Sequence, residues 1–205
     1  MRNFDAQTLG QTYKKTVGAG LVLQYEDGKY IFALAGTKYN CEPGEIFYCG
    51  IGGHLEANED LPECAHREAL EEIGVRVKIL SSDETWYLPD KKTCQKVEVL
   101  EEPKPLAIYR MNYMTTQNGN INNWIVIYEA VLLERSIKIA AEEVLGLITL
   151  TKEQIISGLV RRPTIRKLLD GGAQIIAGAA AGDETLRCYP IGTAEALSII
   201  FKRLA

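Results

Sequence analysis

Glu68, Glu71 and Glu72 carry the most pointed chemistry in this 205-residue chain. A helix advances about 100° per residue, so Glu71 lies about 60° to one side of Glu68 and Glu72 about 40° to the other. The three carboxylates then share one face. Like charges three or four positions apart destabilise a helix by a few tenths of a kcal/mol per pair. A hard divalent cation with oxygen ligands offsets that repulsion. Glu68 and Glu72 stand one turn apart and can bite the same ion, while Glu71 can hold a second ion or position a water. The competing reading is a solvated acidic helix face. Against it stand the Gly52-Gly53 turn just upstream, Arg67 embedded among the acids, and the strict spacing.

The stretch from Gly53 to Val75, GHLEANEDLPECAHREALEEIGV, holds seven carboxylates and also gives the helix its limits. Asp60 with Glu63 reads as a capping box, and Pro62 falls in the first turn, where its missing N–H costs nothing. Gly74 is the C-terminal cap. Ala65, Ala69, Leu70 and Ile73 form an apolar side that packs on a core. His66 is expected on that packed side and His54 in the preceding turn. Neither has a partner histidine at metal spacing.

The spacing runs Gly53, five residues, Glu59, seven residues, Arg67-Glu68, an apolar Ala69, one residue, Glu71-Glu72, one residue, Gly74, and an apolar Val75. With seven fixed identities in place, this resembles the signature of the Nudix hydrolases. The resemblance is sharp over these 23 residues, architectural over roughly residues 15–155, and absent over the last fifty. It implies an α/β/α sandwich with a mixed sheet, Mg²⁺ (or Mn²⁺) as cofactor, and a backbone carbonyl ligand from Gly52 or Gly53. Arg67 and Glu59 are then expected to pair and orient the ligating glutamates, since an arginine cannot itself ligate a cation. Related enzymes draw a general base from a loop beyond the box. Glu142 and Glu143 are the best placed for it, or are simply solvated acids at a strand entry; Glu101 and Glu102 are weaker choices.

The rest of the chain reads as the frame for that helix. Strands are expected at 16–24 and 29–36 around the turn Glu26-Asp27-Gly28, and at 46–51 leading into the Gly-Gly turn. Further extended segments fall at 75–80, 93–100, 105–114, 123–133 and 144–150, with Asn118-Gly119 as a hairpin signal. Thr151 with Gln154 caps a helix over about 152–160. The expected fold is α/β, with residues 1–160 as the main domain and 161–205 as a helical extension packed on it. Within the extension, PTIRKLLD and GTAEALSIIFKRLA read as helices. GGAQIIAG lacks the Lys and Ser/Thr of a P-loop and reads as close helix packing or a turn. The extension either covers the site or forms a homodimer contact.

Composition sets the remaining bounds. A net charge of −4 argues against a nucleic-acid-coating surface but leaves room for a local basic pocket. No apolar run reaches about 18 residues, which argues against a membrane partner. The N-terminus shows no apolar signal core. Five cysteines with no CxxC pair point to free thiols and the cytoplasm. Lys38 and Arg110 are possible phosphate contacts. Trp86, Tyr87 and Tyr48 either stack a base or fill the core. Pro89 lies near, but off, the register of a proline found beyond the box in ADP-ribose-specific relatives. The expected activity is metal-dependent hydrolysis of a phosphoanhydride in a nucleoside diphosphate linked to another moiety, or in a nucleoside triphosphate, with a small nucleotide as substrate. A non-catalytic nucleotide-binding module and an isomerase of the isopentenyl diphosphate type share the fold. The first commonly loses box glutamates and the second departs from this box.

Overall fold

A computed structural model describes residues 3–4, 17–116, 119–179 and 182–205. The described strands are β1 (Asn3–Phe4), β2 (Val17–Gln24), β3 (Tyr30–Ala35), β4 (Glu45–Cys49), β5 (Ile51–His54), β6 (Val77–Leu80), β7 (Thr85–Leu88), β8 (Gln95–Val99), β9 (Ala107–Thr116), β10 (Gly119–Leu132), β11 (Val144–Leu150), β12 (Gln174–Gly178) and β13 (Arg187–Pro190). The helices are α1 (Leu61–Ile73), α2 (Lys152–Arg161), α3 (Ile165–Asp170) and α4 (Gly192–Leu204). The strands run in the order β1-β8-β7-β9-β10-β2-β3-β11-β12, with β6 also on β10, β5 on β2, β4 on β3 and β13 on β4. β2 and β10 pair in parallel and most other neighbours are antiparallel, so the sheet is mixed.

Alternation along β2 divides the core. Val17, Ala19, Leu21 and Leu23 pack with Ala65, Ala69 and Ile73 of α1. Val22 faces the other way and joins a second core with Phe32, Ile148, Ile155, Leu197 and Ile200. Helices therefore cover both faces, α1 on one and α2, α3 and α4 on the other. No described helix is long and apolar enough to cross a membrane.

One departure from the expected strands creates the site. The segment read as one strand over 46–51 breaks between Cys49 and Ile51. β4 pairs with β3, whereas β5 pairs with β2. A Cβ on Gly50 would lie 2.4 Å from the Leu21 carbonyl oxygen, so only glycine lets the chain cross there. β2 and β3 themselves pair only at Leu23↔Ile31 and Gln24↔Tyr30, and a cleft opens between them.

α1 begins and ends as its sequence dictates. Asp60 and Glu63 form a reciprocal capping box, and Gly74 closes the helix in the left-handed conformation at φ 64°. Leu70, expected on the packed side, is 51% exposed, and His66 is exposed too. Each lies about 100° beyond a neighbour that does face the core, Ala69 and Ala65 respectively. Thr151 and Gln154 cap α2 as expected. Asn118 of the hairpin signal lies outside the described residues, but β9 and β10 do pair as neighbours from Thr116↔Gly119 onward.

The extension carries its two helices and also two strands of the same sheet. GGAQIIAG, read as a packing segment or turn, contains β12, antiparallel to β11. β13 pairs in parallel with β4. Both strands gain their hydrogen bonds from partners distant in sequence, which local pattern does not reveal. Thr85–Leu88 is a strand for the same reason, pairing with β8 and β9. Trp86 and Tyr48 are core residues.

Tyr48 also sets a test of core packing. Its hydroxyl is buried with no partner among the described residues, and burial pushes its pKa well up. A Cβ on Gly158 of α2 would lie 2.2 Å from that oxygen. Alanine normally favours a helix interior over glycine by about 1 kcal/mol. Here Gly158→Ala is expected to destabilise, while Tyr48→Phe is neutral or stabilising by up to about 1 kcal/mol because an unsatisfied group is lost. The double variant should recover alanine's helix preference. Urea unfolding of the four proteins checks this; a stabilising Gly158→Ala beside wild-type Tyr48 counts against the packing account.

Candidate functional site

The cleft between the parted strands is a cavity of about 420 Å³. Gly52 and Gly53 of β5 form part of its wall, α1 supplies Arg67, Glu68, Glu71 and Glu72, and Glu143 enters from the turn before β11. Ala19↔Gly53 and Gly20↔Gly52 are neighbours across β2 and β5, so this wall carries almost no side chains. A Cβ on Gly53 would lie 2.1 Å from Glu68 Oε1. Glycine there lets the carboxylate approach the backbone.

The three box glutamates differ in environment. Glu68 and Glu72 are 8% and 7% exposed, whereas the Glu71 side chain is 59% exposed. Among the described residues Glu72 accepts only a long hydrogen bond, 3.4 Å, from the Gly52 N–H. Its pKa is pushed up to about 8, first by burial and then by the nearby Glu68 charge. Burial also raises Glu68, with Arg67 pulling against it.

Arg67 is the hub of the site. It donates to both Glu59 oxygens, from Nε at 3.0 Å and Nη2 at 2.8 Å. Nη2 also donates to the His54 carbonyl at 3.0 Å, and Nη1 to Glu68 at 2.7 Å and Glu71 at 3.0 Å. Glu59 accepts as well from the Glu56 N–H at 2.7 Å, and Arg67 holds its carboxyl below the usual range. The loop before α1 is thus tied to the helix through one guanidinium. Arg67 thus engages Glu68 and Glu71, and no three acidic, histidine or cysteine side chains among the described residues converge as a metal cage.

Of the base candidates, Glu143 lines the cavity and pairs with Lys38 at 2.7 Å. Lys38 lines it too, and its pKa is raised chiefly by that hydrogen bond. Glu142, Glu101 and Glu102 are not among the lining residues; Glu102 accepts from the Ser81 hydroxyl at 2.7 Å. Arg110 also stays out of the lining, its guanidinium 5.9 Å from the Trp124 ring centroid. Tyr87 stacks on Trp124 at 6.0 Å, and Trp124 reaches the cavity. Phe47, Met111, Cys49 and the start of α4, Ile191–Thr193, complete much of the lining and escaped the sequence reading. Burial among these groups pushes the Cys49 thiol up to about 12, so it stays protonated.

A divalent cation fits this donor set. Glu72 is a buried carboxylate with one weak donor, and Glu68 beside it is pressed against a glycine backbone. Both would offer hard oxygen donors to the cavity they line.

The chain is similar to several known proteins. An NAD-capped RNA hydrolase, NudC, of Chromobacterium violaceum is 30% identical over 82 residues, 39% of this chain and 29% of that protein. The chain therefore spans under a third of that relative's length. Among solved structures, a MutT protein from Methanosarcina mazei Go1 superposes with a TM-score of 0.50 at 14% identity, covering 92% of this chain and 94% of that one. A NUDIX-family hydrolase from Clostridium perfringens gives 0.45 at 21% identity, over 69% and 84%. The family model of the NUDIX domain matches residues 14–128, more than half of the sequence, and the chain belongs to that family.

Proposed function

We propose that the protein is a pyrophosphohydrolase that cleaves a phosphoanhydride within a nucleoside diphosphate linked to another moiety, using Mg²⁺ or Mn²⁺. The observation that carries this reading is Glu72. Its carboxyl is 7% exposed, beside the buried Glu68, with one 3.4 Å donor. A carboxylate kept there in its charged form needs a cation. Glu68 and Glu72, with a carbonyl of the Gly52-Gly53 turn, would hold the ion, and Glu71 at the exposed edge would reach a second. When bound, such an ion supplies Lewis acidity toward phosphate oxygens and lowers the pKa of water.

The chain's own groups do the rest. Arg67 and Glu59 hold the loop and α1 in register. Glu143 is placed to take a proton, with Lys38 balancing its charge. The glycine wall lets a phosphate chain approach the backbone. The name of the C. violaceum relative puts NAD-like linkages among the first substrates to try, alongside ADP-ribose, sugar nucleotides and nucleoside triphosphates. The five free cysteines suit a reducing cytoplasm.

Hydrolysis in ¹⁸O water tests the chemistry. Label is expected on a phosphoryl product, read by mass spectrometry, with two phosphorylated fragments from a linked diphosphate or a monophosphate and pyrophosphate from a triphosphate. Label only on a carbon-bound hydroxyl, or turnover of monoesters alone, overturns the proposal.

A further inference from the structure

The far side of the cavity is built for an acceptor-rich group. Ile191, Gly192 and Thr193 line it at the start of α4, a helix of 13 residues that packs on the opposite face of the sheet from α1. Its N-cap, Ile191, supplies no side-chain hydrogen bond. The Ala194 and Glu195 N–H groups bond back to the Ile191 carbonyl. Those of Gly192 and Thr193 find no acceptor among the described residues. A helix start concentrates partial positive charge through such unsatisfied donors.

Thr193 adds an independent sign. It is 4% exposed, yet its hydroxyl makes no hydrogen bond among the described residues, and it borders the cavity. Two glycines seat it. A Cβ on Gly20 would lie 2.3 Å from its Oγ1, and one on Gly50 2.7 Å from its methyl carbon. The one acid in the first turn, Glu195, is already balanced: it accepts from Lys91 Nζ and from the Tyr109 hydroxyl, each at 2.6 Å. Lys38 and Arg67 also line the cavity, each already paired with carboxylates.

We infer that the Gly192 and Thr193 N–H groups and the Thr193 hydroxyl form a subsite for a phosphoryl group of the substrate other than the scissile diphosphate. Donors clustered at a helix start suit a tetrahedral oxyanion. This rests on the proposed hydrolase reading and narrows its substrate class to nucleotides bearing a further phosphate, for example on a ribose. α1 would take the scissile diphosphate and α4 the extra group.

The test begins without metal. Inorganic phosphate is titrated into the ¹⁵N-labelled protein in EDTA, following amide shifts. Gly192 and Thr193 should shift saturably. Thr193→Val keeps the branched shape and should bind roughly tenfold more weakly, while Thr193→Ser should retain affinity. Unchanged melting temperatures show that all three proteins are folded. No shift at Gly192 and Thr193, shifts confined to Lys38 and Arg67, or equal affinity in Thr193→Val overturns the subsite. With Mg²⁺, NADPH should show a lower KM than NADH, and Thr193→Val should narrow that gap with little change in kcat. Equal KM values in the wild type also count against it. Failure to hydrolyse any diphosphate sinks the hydrolase reading alone, since the phosphate titration reports on the subsite separately.

Discussion

Glu72→Gln is expected to lower kcat/KM in Mg²⁺ on the order of 100-fold or more, while the protein stays folded. Even residues that only orient metal ligands typically cost 10–100-fold when lost, and the proposed role of Glu72 is to touch the ion. The same variant makes a second, metal-free prediction. The Glu72 pKa of about 8 in the folded protein lies above the ordinary value of 4.5. The folded state therefore holds a proton that the unfolded chain releases across that window. Glu72's contribution to the stability of the metal-free protein is greatest at the acid end and falls as pH rises from about 4.5 through about 8. At about 1.4 kcal/mol per unit, the loss amounts to a few kcal/mol at most. Glutamine cannot ionise, so Glu72→Gln should be more stable than wild type in EDTA at pH 8, with the difference vanishing near pH 5. Mg²⁺ should raise the wild-type melting temperature most at pH 8 and the variant's least. Unfolding curves at several pH values, with and without Mg²⁺, read all of this. Wild-type turnover by Glu72→Gln sinks the metal assignment, and parallel pH profiles sink the account of Glu72's burial.

What the sequence made legible is what local physics decides. The Asp60–Glu63 capping box, the Gly74 cap and the Thr151–Gln154 cap are set by residues within a turn of one another, and each appears where its pattern places it. The face shared by Glu68 and Glu72 follows from helical spacing alone. Partner choice in the sheet does not. The break at Gly50, which opens the cleft, depends on the Leu21 carbonyl nearly thirty residues away. β12 and β13 find their partners across the sheet, and their Gly/Ala-rich and short apolar segments carry no period of their own. The site was legible to the same extent. Arg67, Glu59 and the glutamates sit on one short stretch, whereas Lys38 and Glu143 lie far apart in sequence and only the fold joins them. Thr193 gave no signal, because a threonine early in a helix is ordinary until Gly20 and Gly50 are seen to seat it.

Arg67→Ala is expected to damage stability and catalysis together, because one guanidinium serves both. It binds Glu59 through two nitrogens and also holds the His54 carbonyl, Glu68 and Glu71. Its side chain is 22% exposed and that of Glu59 only 13%. Removing it strands Glu59 as a largely buried charge and frees the loop before α1. A partly buried pair of this kind is worth about 2–3 kcal/mol, roughly 5–10 °C in melting temperature for a chain of this size. Activity should drop about 10–100-fold, with the Mg²⁺ concentration for half-maximal rate rising, because the glutamates proposed as ligands lose their orientation. Arg67→Lys should rescue little, since an ammonium cannot reproduce the two-pronged bond to Glu59. Glu59→Gln should move stability and metal requirement in the same direction. The double variant Arg67→Ala/Glu59→Gln should then be clearly less impaired than the two effects added. Independent, additive effects, or an Arg67→Ala protein that melts and turns over like wild type, would show that the guanidinium only neutralises charge and that the loop is held by other contacts.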